Sequence, residues 1–196
     1  MKVIGITGGI GSGKSELLEY LRREYGVYVC EADRVAKTLQ QKDTDCYRAI
    51  VESFGEEILD EEGELDRAGL AEKVFVSPQL LERLNGIVHP AVKEIICQEI
   101  EAQRAAGEKM FVLEAALLLE DHYDEICDEV WFIYADRDVR RRRLKNSRGY
   151  SDDRITAIFD SQMTRDAYLE RCDRAIDNSR SFDETCVQLD SIMDRM

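Results

Sequence analysis

The chain is poor in the features that would tie it to a membrane, an oxidising compartment or a nucleic acid. No apolar stretch approaches the 18 residues a spanning helix needs; the longest, Phe111 to Leu119, is broken by Glu114. The first apolar run is a short strand that leads straight into a glycine loop, which is not a leader pattern. The six cysteines stand at 30, 46, 97, 127, 172 and 186, and none forms a Cys-x-x-Cys pair, so the chain shows no zinc or dithiol signature. Only two prolines occur in 196 residues, and there is no Pro-rich linker, internal repeat or low-complexity tract. Basic residues are outnumbered 27 to 41 by acidic ones, for a net charge of −14. That sheath of negative charge argues against nucleic acid and anionic membrane partners, and it requires any anionic ligand to find its positive charge locally. A reduced, cytoplasmic protein is the natural expectation.

The hydrophobic content is 44%, enough for one sizeable core with a lobe attached. Five short apolar runs read as strands: Lys2–Thr7, Val27–Cys30, Met110–Glu114, Val130–Tyr134 and Arg174–Ile176. Helical patterns separate them, which predicts a parallel sheet with helices on both faces. Between the second and third strands lie some 80 residues without a good strand. Helical periodicity is expected there at Cys46–Phe54, Arg67–Phe75, Pro78–Ile87 and Pro90–Ala106. Turns are expected at Gly55, Asp60–Gly63, Ser77-Pro78 and His89-Pro90. Ser77 before Pro78 reads as a helix N-cap with proline at the first helical position.

The first strand runs into GGIGSGKS at Gly8–Ser15, and a helix-forming stretch follows. This is a phosphate-binding loop in its required strand–loop–helix context. Its glycines let successive amides point inward at phosphate oxygens, and the helix N-terminus adds further donors. Lys14 would reach the outer phosphates, and the Ser15 hydroxyl would ligate Mg²⁺.

Four further groups are candidates for chemistry. Asp33, just past the second strand, is expected to face the same crevice as the loop, where it would accept or orient a hydroxyl proton; the alternative is an N-cap for a helix at Arg34–Gln40. Glu114 ends an apolar strand, the usual place of the Mg²⁺-side carboxylate in phosphate-loop proteins. Arg137, Arg140, Arg141, Arg142, Arg143, Lys145 and Arg148 crowd one segment after the fourth strand. On a helix the run 140–143 covers every face, so about two of these can point into one crevice. An inward arginine would stabilise charge on a transferring phosphoryl group; the alternative is a solvated basic helix. His89, with Asn85 and Pro90, sits in the inserted lobe, and a histidine before proline is more often a packing residue than a catalyst.

Taken in order along nearly the whole chain, these segments resemble the dephospho-coenzyme A kinase family. The match begins at Ile6–Ser15 and continues through Glu31–Ala36 and Phe54-Gly55. It then takes in Leu84–Pro90, Glu114–Glu120, Arg143, Arg148, Gln162 and Arg165, and ends at Asp173–Asn178. The resemblance implies a P-loop NTPase fold with a five-stranded parallel sheet. A core (about 1–40, 108–136 and 166–196) would carry a helical acceptor-binding insertion (about 41–107) and a lid (about 137–165). It implies transfer of the γ-phosphoryl group of ATP to the ribose 3′-hydroxyl of dephospho-coenzyme A, with Mg²⁺. ATP would be held by Gly9, Gly11, Ser12, Gly13, Lys14, Ser15, Glu16, Arg143 and Asn178, the last near the adenine. Asp33, His89, Glu114 and Arg148 would bind the acceptor, and Asp33, Lys14 and Arg143 would carry the chemistry. Three positions depart from the family pattern: Glu16 replaces a threonine, Glu31 replaces an aspartate and Ala116 replaces a proline. A different small alcohol or nucleotide acceptor, or an ATP-binding relative without activity, is the competing reading.

Overall fold

In the computed structural model, which describes Met1–Met196, the strands fall where the apolar runs are. In chain order the elements are β1 (Lys2–Thr7), α1 (Lys14–Tyr25), β2 (Tyr28–Glu31), α2 (Ala32–Leu39), α3 (Asp45–Phe54), α4 (Arg67–Phe75) and α5 (Pro78–Ala105). They continue with β3 (Met110–Glu114), β4 (Glu129–Tyr134), α6 (Arg137–Arg148), α7 (Asp152–Ser161), α8 (Arg165–Arg171), β5 (Arg174–Asp177) and α9 (Phe182–Met193).

The sheet order is β2-β3-β1-β4-β5. β1 pairs in parallel with β3 on one side and β4 on the other, and β4 pairs in parallel with β5. Parallel pairing sends the loops that leave β1, β3, β4 and β5 to one edge of the sheet. The chain winds away from β1 in one direction first and crosses to the other side later. The end of β1 is therefore a switch point, where open α/β sheets bind ligands. Val3, Ile4 and Ile6 are buried because the strand is covered on both faces. Leu17, Leu18 and Leu21 of α1 and Leu189 and Ile192 of α9 pack with Ile4, Ile6, Val112, Trp131, Ile133 and Ile176 to form the main core. α1 stops at Gly26, whose φ of 62° gives the left-handed cap that a side chain disfavours.

The chain divides into two compact units: Met1–Val29 with Gln103–Met196, and Cys30–Ala102. The second unit is helical. Thr44 caps α3 by accepting from the Tyr47 amide, and Asp66 caps α4 by accepting from Ala68 and Gly69. Ser77 accepts from the Leu80 amide at the start of α5, as its position before Pro78 implies. Two expectations fail here. The turn expected at His89-Pro90 is absent, and α5 runs 28 residues with Pro90 inside it. Proline costs the helix one hydrogen bond, but Val88, Val92, Ile96 and Ile100 form a buried stripe at fourfold spacing across it, and burial of that stripe outweighs the lost bond. The N-cap alternative for Asp33 also fails: α2 begins at Ala32, so Asp33 lies in its first turn.

Glu129 fastens three strands. Its carboxylate accepts from Lys2 of β1 at 2.5 Å, from Arg174 of β5 at 2.8 Å and from the Trp131 indole at 3.0 Å. The Arg174 hydrogen bond, with those of Lys2 and Trp131, pulls its pKa down to about 2. A depressed carboxylate stabilises the fold above the ordinary glutamate range near pH 4.3 and loses that contribution as pH falls towards about 2. Lys2 and Arg174 are 40% and 39% exposed, so solvent screening limits the effect to about 1 kcal/mol. Glu129→Gln should lower the unfolding free energy at pH 7 by that amount. The gap from wild type should narrow as pH falls below about 4 and close only towards about pH 2, as read by urea titration at each pH.

Candidate functional site

The glycine loop leaves β1 at the switch point and feeds α1. Two of its glycines are required by close approach. A Cβ on Gly8 (φ 151°) would lie 2.2 Å from the Ile133 carbonyl oxygen, and one on Gly13 (φ 94°) would lie 2.1 Å from the Asn178 amide nitrogen. The loop is thus pressed between the ends of β4 and β5. The Ser12 amide donates to the Gly9 carbonyl at 3.2 Å, which closes the turn. Lys14 folds back over it, its ammonium donating to the Gly8 carbonyl at 2.6 Å and standing 3.7 Å from the Glu114 carboxylate at the end of β3. Both side chains are 14% exposed, so the pair is largely shielded from water. Ser15 and Glu16 open α1 and are exposed. Glu16 lies in the first turn, where a negative charge suits the helix dipole.

The basic cluster forms α6, and its residues separate by face. Arg140 and Arg143, three apart, turn to the loop. Arg140 donates through Nε to the Ile10 carbonyl at 2.9 Å and through Nη2 to Gln162 at 2.6 Å, with its guanidinium 4.3 Å above the Phe159 ring. Burial lowers its pKa from the ordinary arginine value, although an arginine remains charged. Arg143 donates through Nη1 to the Ser12 carbonyl at 3.2 Å and the Gly11 carbonyl at 3.5 Å. Arg141 instead pairs with Asp152 at 2.8 Å, joined there by Lys145 at 2.6 Å. Arg142 is exposed, and so is Arg148, whose guanidinium lies 6.0 Å from the Tyr150 ring centre. Two arginines of the run 140–143 therefore face the loop, as helical geometry requires. A small apolar cluster of Leu144, Ile155 and Phe159 holds α6 and α7 together, and Ile10 of the loop packs against it.

Asn178 follows β5 and is fully buried. Its Nδ2 donates to the Ser12 carbonyl at 2.8 Å, and its Oδ1 accepts from the Thr185 hydroxyl at 3.0 Å. The loop thus meets Lys14, Glu114, Arg140, Arg143 and Asn178 within one unit. Arg140 and Thr185 are contacts that motif reading misses. The signal for Arg140 was present in its spacing of three from Arg143, whereas Thr185 carries no pattern of its own. Asp33 and His89 belong to the helical unit. Asp33 is exposed on α2, and His89 is half-buried within α5. A cavity of about 490 Å³ opens beside Lys2, Met110 and Met193. It lies at the start of β1, so a strand's length separates it from the loop.

A set of loop amides, one ammonium and two guanidinium groups is suited to holding a polyphosphate and neutralising it. Comparison with known proteins agrees. The family model for dephospho-CoA kinase matches residues 2–184. The dephospho-CoA kinase of Symbiobacterium thermophilum is 38% identical over 191 residues, covering 97% of this chain and 80% of that protein. That of Dehalococcoides mccartyi is 38% identical over 192 residues, covering 96% of each. Among solved structures, TT1252 from Thermus thermophilus superposes with a TM-score of 0.84 at 27% identity, covering 100% of this chain and 97% of that one. Taken with the loop, the arginines of α6 and the ordered sheet, these matches mean that the chain belongs to the dephospho-CoA kinase family.

Proposed function

We propose that the protein transfers the γ-phosphoryl group of ATP to the ribose 3′-hydroxyl of dephospho-coenzyme A, the last step of coenzyme A synthesis. The observation that carries this reading is the convergence of Lys14, Arg140 and Arg143 on one phosphate loop, in a chain matched by the family over residues 2–184. The 3′-oxygen forms a bond to the γ-phosphorus, the bond to the β-phosphate oxygen breaks, ADP leaves, and the hydroxyl proton passes to the Asp33 carboxylate. Phosphoryl transfer asks little covalent chemistry of a protein; positioning and charge neutralisation do most of the work. Lys14 moves from the Gly8 carbonyl to the outer phosphates, and Arg143 leaves loop carbonyls for the phosphoryl oxygens. Gly9, Gly11, Ser12, Gly13 and Ser15 supply the cradle. His89, Arg148 and Glu114 are assigned to the acceptor.

The donor set fits Mg²⁺. The Ser15 hydroxyl and the Glu114 carboxylate are hard oxygen ligands, and the chain forms no group of three or more His, Cys, Asp or Glu that would cage an ion by itself. Such a sparse set suits a cation held mainly by phosphates and water. When bound, Mg²⁺ would neutralise charge on the β- and γ-phosphate oxygens. The two units correspond, in this reading, to a core with its lid and an acceptor-binding lobe. No helix is long and apolar enough to cross a membrane, and six free thiols suit the cytoplasm, where we place the reaction. Glu16 points to solvent from the first turn of α1, so it does not favour the inactive alternative.

ADP formation from ATP and Mg²⁺ should depend on dephospho-coenzyme A. Asp33→Asn should lower that acceptor-dependent rate by about 10²–10⁴-fold and leave the nucleotide dissociation constant unchanged; equal turnover in mutant and wild type would remove Asp33 from the reaction. Arg143→Ala should lower kcat by about 10²–10³-fold, as loss of a charge-stabilising donor does. Arg142→Ala, one residue away but facing solvent, should change kcat by less than about twofold. Steady-state kinetics on the pair checks the assignment of faces on α6.

A further inference from the structure

The side chain of Asn178 is buried and makes one donor and one acceptor hydrogen bond to protein groups. Asn178 and Thr185 are 0% exposed and Ser12 is 1% exposed. The hydrogen bonds fix the orientation of the Asn178 amide: the Ser12 carbonyl can only accept, so Nδ2 must face it, which leaves Oδ1 for the Thr185 hydroxyl. The other acceptors within reach of Thr185 are already engaged. The Asp177 carbonyl takes a bond from Gln188 at 2.8 Å, and the Ser181 carbonyl takes the Thr185 amide at 3.4 Å. The Thr185 proton therefore has its best use on Asn178.

We propose that Asn178 and Thr185 are positioning residues that aim the phosphate loop, and that the Asn178 side chain does not read the nucleotide base. The peptide between Ser12 and Gly13 is planar, so its C=O and N–H point in opposite directions. Anchoring the Ser12 carbonyl on Asn178 turns the Gly13 N–H the other way, away from Asn178. Arg143 shares that carbonyl at 3.2 Å. On the function proposed above, Arg143 departs for the phosphoryl group during turnover, and Asn178 is then the donor that keeps the peptide from rotating. Thr185 fixes the rotamer of Asn178. The Gly13 φ of 94° and the 2.1 Å separation between its hypothetical Cβ and Nδ2 show how closely the two groups are fitted.

Loop amides grip the phosphates in both ground and transition states, so losing their aim should raise KM more than it lowers kcat. Asn178→Ala and Thr185→Val should each raise the KM for ATP by about tenfold or more, the scale of a lost buried hydrogen bond. The KM for GTP should rise by the same factor, and kcat should change by less. Thr185→Ser should restore the wild-type values, and the double variant should be no worse than Asn178→Ala alone. All are measured at a temperature where each variant is folded, with the dissociation constant of a non-hydrolysable ATP analogue as a second readout. A change in the ATP-to-GTP preference of Asn178→Ala would make it a base reader and overturn the proposal, as would an unchanged nucleotide affinity. If the wild type shows no turnover with dephospho-coenzyme A, the acceptor assignment alone fails, and the analogue affinities still decide the loop clamp.

Discussion

The structure depends on how closely one backbone turn can be packed. Gly8 lies against the Ile133 carbonyl and Gly13 against the Asn178 amide, at separations no side chain would permit. That packing is possible because β1 is the middle strand, with β3 and β4 on either side and β5 beyond. Every loop on the ligand edge can then reach the same turn: Glu114 from β3, α6 from β4 and Asn178 from β5. Strand order thus decides which side chains meet the loop, and the hydrophobic core of Ile4, Ile6, Trp131 and Ile133 holds the strand order in place.

The loop's carbonyls are as informative as its amides. Gly8 accepts from Lys14, Ile10 from Arg140, and Ser12 from both Arg143 and Asn178. The positive groups are thus held against the carbonyls of the turn. Three of these four donors are charged, and a charged donor on a neutral carbonyl has a stronger partner in a phosphate oxygen. The fully buried neutral donor, Asn178, has no comparable reason to leave.

Much of this was legible in the sequence, and the rest was hidden for physical reasons. The phosphate loop announces itself because its function demands fixed residue types at fixed spacing. All five strands match their apolar runs within one residue at each end, β1 and β3 without any difference and β2 shifted by one residue as a whole. Pro90 misled because a local rule about proline competes with a buried stripe from Val88 to Ile100, and only the packed structure shows that the stripe wins. The choice of Arg140 and Arg143 over Arg141 and Arg142 depends on the roll of α6, which Leu144, Ile155, Phe159 and Ile10 set together. Thr185 carries no signature, since its contact with Asn178 acts on a carbonyl 173 positions away in the chain.

Charge is distributed as unevenly as the packing. The helix Arg137–Arg148 carries seven cations and one acid in a chain of net −14, so the remainder of the molecule is more acidic than the total suggests. An anion approaching from a distance meets repulsion first, and attraction only near α6. At physiological ionic strength the Debye length is about 8 Å, short enough to mute the distant acids while leaving the nearby guanidinium groups effective. Dissolved salt thus mutes the acids that an approaching anion meets at a distance, while the cations of α6 remain effective at close range.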